Sequence, residues 1–181
     1  MPVDDIMRQP HIKTMPVDQR DRVCEALANE FSHYKTRCIS MQPRDSNFID
    51  IAYRTEIAKL IESASENRIL ITHGTDTLLQ TADFFFNRRM QGKSIIVTGA
   101  MVPLSNGKLS DGYRNLAFSL DCLSQSEPLV QVGVVLCDFE DPETMMGAWR
   151  PRFYAHEPEK YEIFHHPSDH RYNHPRIKDE V

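Results

Sequence analysis

Short apolar runs alternate with helical patterns along most of the chain. Runs of apolar residues typical of buried strands cover 68–72, 94–98 and 130–137, and an alternating pattern predicts a further strand over 36–41. Apolar residues at helical spacing fill the intervals at 17–31, 48–65, 76–90 and 111–124, and Asp18 is a candidate N-cap for the first helix. Strands that alternate with helices predict an α/β fold with a three-layer, doubly wound, mainly parallel sheet of the flavodoxin or Rossmann type.

The pattern divides the chain into three parts. The α/β pattern occupies 17–140, and the polar residues before it predict an irregular N-terminal segment over 1–16. From residue 139 onward the chain holds five prolines and five of its eight histidines. We therefore predict an irregular C-terminal tail over 141–181.

Composition narrows the classes of function. A chain of 181 residues suits one domain, and a net charge of -5 argues against nucleic acid as the partner. No run of 18 apolar residues and no apolar signal segment occurs, which predicts a cytoplasmic protein with no membrane partner. The four widely spaced cysteines are expected to be reduced residues of the core, without a disulfide framework.

Polar segments follow three of the predicted strands, at 42–48, 72–77 and 98–115. In a parallel sheet these loops leave the same edge, where ligands bind. Helix N-termini at such turns suit a carboxylate, and Asp76 suits an ammonium group. Ser46 and Thr75 add hydroxyl groups, and Gly74 and Gly99 allow close approach of backbone. This combination predicts a site for a free amino acid.

Two other interpretations of these residues stay open. Serine, threonine and aspartate at the start of a helix are most often N-caps, and His73 next to a strand is expected to be a hydrogen-bonded structural residue. The tail histidines could in principle bind zinc, although their irregular spacing favours a solvated segment: His165, His166, His170 and His174. We expect no metal and no cofactor.

Three ordered motifs give a more specific indication. The segment ILITHGTDTLLQTADFF places His-Gly-Thr-Asp-Thr at 73–77 between a strand and a helix. RDSNFID precedes it, and VTGAMVPLSNGKLSDGYRNL follows it. From about residue 17 to 140 the chain resembles the N-terminal domain of the bacterial-type L-asparaginase family, and its length is most similar to that of short single-domain members.

The resemblance implies an amidohydrolase that converts L-asparagine or a related amide to the acid and ammonia. In that family a threonine hydroxyl attacks the amide and an acyl-enzyme is then hydrolysed. By position, Ser46 would hold the substrate α-carboxylate and Asp76 its α-ammonium. Thr75 would belong to the catalytic Thr-Lys-Asp group with Asp76, and the backbone at Ala100 would lie against the reacting amide. Family members are usually dimers or tetramers, so a homodimer is one expected assembly.

The sequence departs from the family pattern in three places. The first strand, with its Thr-Gly-Gly-Thr-Ile turn, and the lysine of the catalytic group are not recognisable, and Val102 stands where arginine is common. Thr14 is a poor substitute for the nucleophile because no glycines and no apolar strand surround it. Three alternatives follow: an active amidohydrolase, a non-catalytic module that binds a small amino acid, or a fragment of a longer enzyme.

Overall fold

The computed structural model describes residues 17–125, 131–137, 151–156, 161–166 and 169–177. In chain order its helices are α1 (Val17–Asn29), α2 (Ile51–Ser63), α3 (Leu78–Arg88) and α4 (Asp111–Ser124). Its strands are β1 (Arg68–Thr72), β2 (Ser94–Thr98), β3 (Val132–Cys137), β4 (Pro151–Ala155), β5 (Tyr161–His166) and β6 (Asp169–Ile177). Two short 3-10 turns lie at Ser46–Phe48 and Leu104–Leu109. Within the described ranges, no helix is both long and apolar enough to cross a membrane.

Four strands form one sheet in the order β1-β2-β3-β4. The first three are parallel, and their register pairs Thr72 with Thr98 and Thr98 with Val135. The carboxyl ends of β1 and β2 therefore lie at the same level, and the loops that follow them leave the sheet side by side. Strands β5 and β6 form a separate antiparallel hairpin.

Helices cover both faces of the sheet, as the predicted three-layer α/β architecture requires. On one face Ile71, Ile95 and Val134 pack against buried residues of α2 and α3. On the other face Ile96 and Val135 pack with Cys122 of α4. Successive residues of a strand point to opposite faces, so strands buried on both sides must be apolar throughout. The nearly continuous apolar runs of β2 and β3 satisfy this requirement and are buried along almost their whole length.

The predicted strand over 36–41 is wrong, because these residues form no strand in the folded chain. A strand needs a neighbour that accepts and donates backbone hydrogen bonds. Side chains hold this segment instead. The Arg37 guanidinium makes a bidentate contact with Glu66, at 2.7 and 2.5 Å. Cys38 is bonded to Cys24 of α1.

That disulfide corrects the prediction for the cysteines. Cys24 and Cys38 form a bonded pair, and Cys38 is exposed rather than in the core. Cys122 and Cys137 are buried and are not disulfide-bonded, as expected. The cytoplasmic location stays a prediction.

The C-terminal part is more regular than the predicted irregular tail over 141–181. Strand β4 pairs antiparallel with β3, from Gly133 opposite Ala155 to Cys137 opposite Pro151. Its first residue is a proline, which a strand tolerates at its start. After β4, His156 lies 2.6 Å from Asp83 of α3 and is buried. Asp18, the predicted N-cap of α1, lies inside that helix, which begins at Val17.

Candidate functional site

Two of the three polar loops meet directly at the edge of the sheet. The Ser46 hydroxyl donates to Asp76 Oδ2 at 2.9 Å, and the Thr77 hydroxyl donates to the Ser46 carbonyl at 2.6 Å. Gly74 lies beside them, where a Cβ atom would be 2.7 Å from both Cβ and Oγ of Ser46. Only glycine leaves room for this approach, so the glycine of the 72–77 loop is needed for the contact.

Asp76 is not the helix cap that the alternative interpretation required. Helix α3 has Thr77 at its N-cap position, without a side-chain capping bond, and Asp76 is an exposed residue. Its Oδ2 atom also accepts a hydrogen bond from Asn47 Nδ2 at 2.9 Å. Asp45 Oδ1 accepts a hydrogen bond from the Asn47 backbone N–H at 2.9 Å. This bond fixes the turn that carries Ser46 and Asn47, the two donors to Asp76. Among the described residues, both hydrogen bonds to the Asp76 carboxylate go to Oδ2, and Oδ1 accepts none.

The third loop lies against the second. His73 N–H donates to the Thr98 carbonyl at 2.8 Å, which continues the β1–β2 pairing into the loops. At Gly99 a Cβ atom would lie 2.6 Å from the His73 carbonyl and 3.3 Å from Thr75 Cγ2. Gly99 therefore allows the two loops to touch, and half-buried Ala100 follows it directly.

The N-terminus of α4 holds the loop that contains Ala100. The Asp111 carboxylate accepts from the N–H groups of Met101 at 3.1 Å and Val102 at 2.9 Å. The Ser110 hydroxyl donates to the Val102 carbonyl at 2.7 Å, and Asn115 Nδ2 donates to the Gly99 carbonyl at 2.8 Å. Burial raises the pKa of Asp111, and the N–H donors of the loop act in the opposite direction.

His73 forms part of a second buried contact behind the turn. Its Nδ1 atom lies 2.6 Å from the Gly74 carbonyl, and its Nε2 atom lies 2.9 Å from the Thr81 hydroxyl of α3. Arg54 of α2 donates from Nε to the same hydroxyl at 2.9 Å. Burial lowers the pKa of His73, which favours the neutral imidazole near neutral pH.

Short contacts connect the four predicted site residues in pairs. Ser46 and Asp76 are in direct contact, while Thr75 and Ala100 are linked through Gly99. Ser46 is only 5% exposed, Thr75 and Ala100 are half-buried, and Asp76 is open to solvent.

Sequence reasoning missed two groups of residues around the site. Asn47 follows Ser46 in the RDSNFID motif, but nothing in the pattern showed that its side chain reaches Asp76. Asp111 and Asn115 are four positions apart and therefore share a helix face. That spacing was the available signal for two side chains acting on the same loop.

No cluster of three or more candidate metal ligands occurs in the parts of the chain that the structure describes. The four tail histidines lie on the β5–β6 hairpin, and Thr14 precedes α1. Their side chains fall outside the described residues, so the zinc alternative and Thr14 as a substitute nucleophile stay untested.

Comparison with known proteins agrees with this architecture. The family model "Asparaginase, N-terminal" matches residues 7–151. Among curated proteins, a glutaminase-asparaginase from Pseudomonas fluorescens biotype A is 34% identical over 90 residues, which are 50% of this chain and 24% of that protein. Glutaminase-asparaginases from Pseudomonas aeruginosa and Acinetobacter glutaminasificans are 29% and 32% identical over 117 and 111 residues, or 64% and 61% of this chain. These matches cover 28% and 32% of those two relatives, so the chain spans a third or less of their length. The family match covers most of the chain, which therefore belongs to the asparaginase family through the N-terminal domain of that family.

Proposed function

We propose that the surface formed by Ser46, Thr75, Asp76 and Ala100 binds L-asparagine or a related amino-acid amide, and that the reaction at this site is hydrolysis of the side-chain amide. The observation that carries the proposal is the pattern of hydrogen bonds at the Asp76 carboxylate. Two donors orient its Oδ2 atom, while Asp76 is an exposed residue and its Oδ1 atom accepts no hydrogen bond within the described structure. A fixed carboxylate with one open oxygen suits an ammonium group.

The Ser46–Asp76 hydrogen bond suggests how the two ends of a zwitterion would be bound. Ser46 has one hydroxyl proton, and in the unliganded chain it is donated to Asp76. A ligand ammonium brings three donors and can replace Ser46 on Asp76. The Ser46 proton is then free to turn to the ligand carboxylate. In this arrangement Asp76 binds the ammonium group and Ser46 binds the carboxylate. The site therefore favours a free amino acid over a simple amide, which lacks both charged groups.

The reacting amide would lie between Thr75 and the backbone at Ala100. In the proposed reaction the Thr75 hydroxyl oxygen attacks the amide carbon while a base takes its proton. The proton returns to the departing nitrogen, which leaves as ammonia. Water then hydrolyses the resulting ester, which releases the acid and restores the Thr75 hydroxyl. Backbone N–H groups near Ala100 would stabilise the oxyanion. The names of the glutaminase-asparaginase relatives support this class of reaction.

Binding without turnover is a second candidate, and one observation favours it. Within the described residues the Thr75 hydroxyl has no hydrogen bond to a base. His73, its neighbour in the same loop, directs both ring nitrogens elsewhere, to Gly74 and Thr81. A threonine hydroxyl is a weak nucleophile unless a base is within hydrogen-bond reach.

Two measurements on the purified chain test the proposal. Calorimetry with L-asparagine and L-glutamine measures binding, and an enzyme-coupled assay measures ammonia release. We expect Asp76→Asn to weaken binding about 10- to 100-fold, the range expected for loss of a charged hydrogen bond. Asp121→Asn is a matched control, because this exposed aspartate of α4 contacts Tyr34, away from the site.

The two candidates give different results. Ammonia release that Thr75→Val abolishes supports the amidohydrolase. Binding that requires Asp76, without ammonia release, supports the non-catalytic module. If neither amino acid binds, or if Asp76→Asn and Asp121→Asn have equal effects on affinity, the proposed site is wrong.

A further inference from the structure

A chain of three side chains from three elements lies behind the turn that carries Thr75 and Asp76. Arg54 comes from α2 and Thr81 from α3, and His73 directly follows the last residue of β1. Nε of Arg54 is 2.9 Å from the Thr81 hydroxyl, which is 2.9 Å from Nε2 of His73. Nδ1 of His73 is in turn 2.6 Å from the Gly74 carbonyl. Thr81 is 0% exposed, so water does not compete for its hydroxyl.

The direction of each hydrogen bond in this chain follows from the chemistry of the groups. A guanidinium can only donate, so the Thr81 oxygen accepts from Arg54. A carbonyl can only accept, so His73 Nδ1 must carry a hydrogen toward Gly74. A second hydrogen on Nε2 would make the ring a cation beside Arg54. Nε2 therefore carries the lone pair and accepts the single Thr81 proton.

The environment of the ring agrees with this neutral form. Burial lowers the pKa of His73, whereas the bond to the Gly74 carbonyl raises it. Among charged groups nearby, Arg54 lowers this pKa and Asp76 raises it. The geometry alone already selects one of the two neutral tautomers, because the other would direct a lone pair at the Gly74 oxygen.

We propose that His73 is a positioning residue, whose Nδ1–H tautomer, selected by Thr81, fixes the Gly74 carbonyl and with it the turn that presents Thr75 and Asp76. The proposal rests on the proposed function for the ligand, but the tautomer and the turn can be measured without one. A trans peptide is planar, so fixing the Gly74 oxygen also fixes the direction of the Thr75 N–H. Gly74 itself has no side chain to restrict its backbone, and an external hydrogen bond supplies the restriction.

The closing experiment reads the tautomer directly, by ring ¹⁵N NMR of the full chain at pH 7. We expect a protonated Nδ1 and an unprotonated Nε2 for His73. Thr81→Val removes the proton donor and keeps a similar shape, so the tautomers should become mixed. Backbone amide signals of Gly74, Thr75 and Asp76 should shift, and affinity for L-asparagine should fall about 5- to 20-fold, the effect of losing about one hydrogen bond. Thr81→Ser, which restores a hydroxyl, should recover both readouts.

A matched control separates positioning from a general loss of stability. Thr55 of α2 donates its hydroxyl to its own helix at Ile51, and Thr55→Val should change neither the His73 tautomer nor the turn. The proposal is overturned if wild-type His73 carries its hydrogen on Nε2. It is also overturned if Thr81→Val changes stability but leaves the turn signals in place. If His73 has the expected tautomer and Thr81→Val shifts the turn signals, but the wild-type protein binds no amino acid, the proposed function fails and the positioning role of His73 stands.

Discussion

Replacing Gly74 by alanine tests the closest contact of the site. The new methyl carbon would lie 2.7 Å from both Cβ and Oγ of Ser46. Carbon atoms in contact are normally about 3.5–4.0 Å apart, so one of the two loops must move by roughly 1 Å. Ser46 cannot move freely, because it is buried, donates to Asp76 and accepts from Thr77.

The cost of this substitution has two parts. Overpacking a well-packed position costs about 1–3 kcal/mol, and loss of the Ser46–Asp76 hydrogen bond adds about 1 kcal/mol. We therefore expect Gly74→Ala to lower the free energy of unfolding by about 2–4 kcal/mol. Gly74 does not have the positive φ that would strain an alanine, so the cost comes from contact with Ser46.

Urea unfolding of a double-mutant cycle measures this contact. Ser46→Gly removes both atoms that the new methyl would meet. In that background Gly74→Ala should cost less than about 1 kcal/mol, because replacing glycine also restricts the unfolded chain. A cost that is the same in both backgrounds, within about 0.5 kcal/mol, would refute the proposed packing of Ser46 on Gly74.

Three further outcomes can be measured by unfolding experiments. Gly133→Ala on β3 should cost about 1–3 kcal/mol, because its methyl would lie 2.6 Å from Cζ of Phe153 on β4; Phe153→Ala in the same chain should remove most of that penalty. Cys38→Ser should lower stability by about 2–4 kcal/mol without reductant and have little effect in its presence, and an equal effect in both conditions would argue against the disulfide. Burial lowers the pKa values of His73 and His156, so the unfolded chain binds protons more readily. The stability that these histidines contribute is full above about pH 6.5 and is lost as the pH falls toward their folded values, by at most about 1.4 kcal/mol per pH unit for each; a flat profile between pH 5 and 7 would contradict this.

The parallel core of the fold could be predicted because its strands have a strong local signal. The predicted strands 68–72 and 94–98 match β1 and β2, since each is an apolar run with polar residues on both sides. Helices α3 and α4 lie within the predicted 76–90 and 111–124. The apolar residues of these elements are the ones that are buried, so each element could be predicted from its own residues without knowledge of its partners in the fold.

The elements that sequence reasoning missed depend on partners far away in the chain. Apolar and polar residues alternate over 36–41 as in a strand. A strand also needs a neighbouring strand to pair with, and the local pattern does not show whether one is present. The segment PRFYA of β4 begins with proline and arginine, and only its pairing with β3 makes it a strand. The bond between Cys24 and Cys38 likewise depends on how the residues after α1 fold back toward that helix.

The same distinction applies to the candidate site. The rule that loops after parallel strands share one edge applies to the loops after β1 and β2; Ser46 lies beside Asp76 as predicted, although the segment 36–41 before its loop is not a strand. It could not identify Asn47 as the second donor, because that depends on a side-chain rotamer. The contacts of Asp111 with Met101 and Val102 depend on the path of an irregular loop.

The candidate site exists only when the chain is folded. Ser46 and Asp76 are 30 positions apart in sequence, and each lies in a loop that the sheet and its helices hold in place. A ligand of this site therefore binds the native state and not the unfolded chain, and at about 100 times its dissociation constant it adds about 2.7 kcal/mol to stability. A melting-temperature screen of free amino acids and their amides can for this reason identify the ligand even if the chain catalyses no reaction.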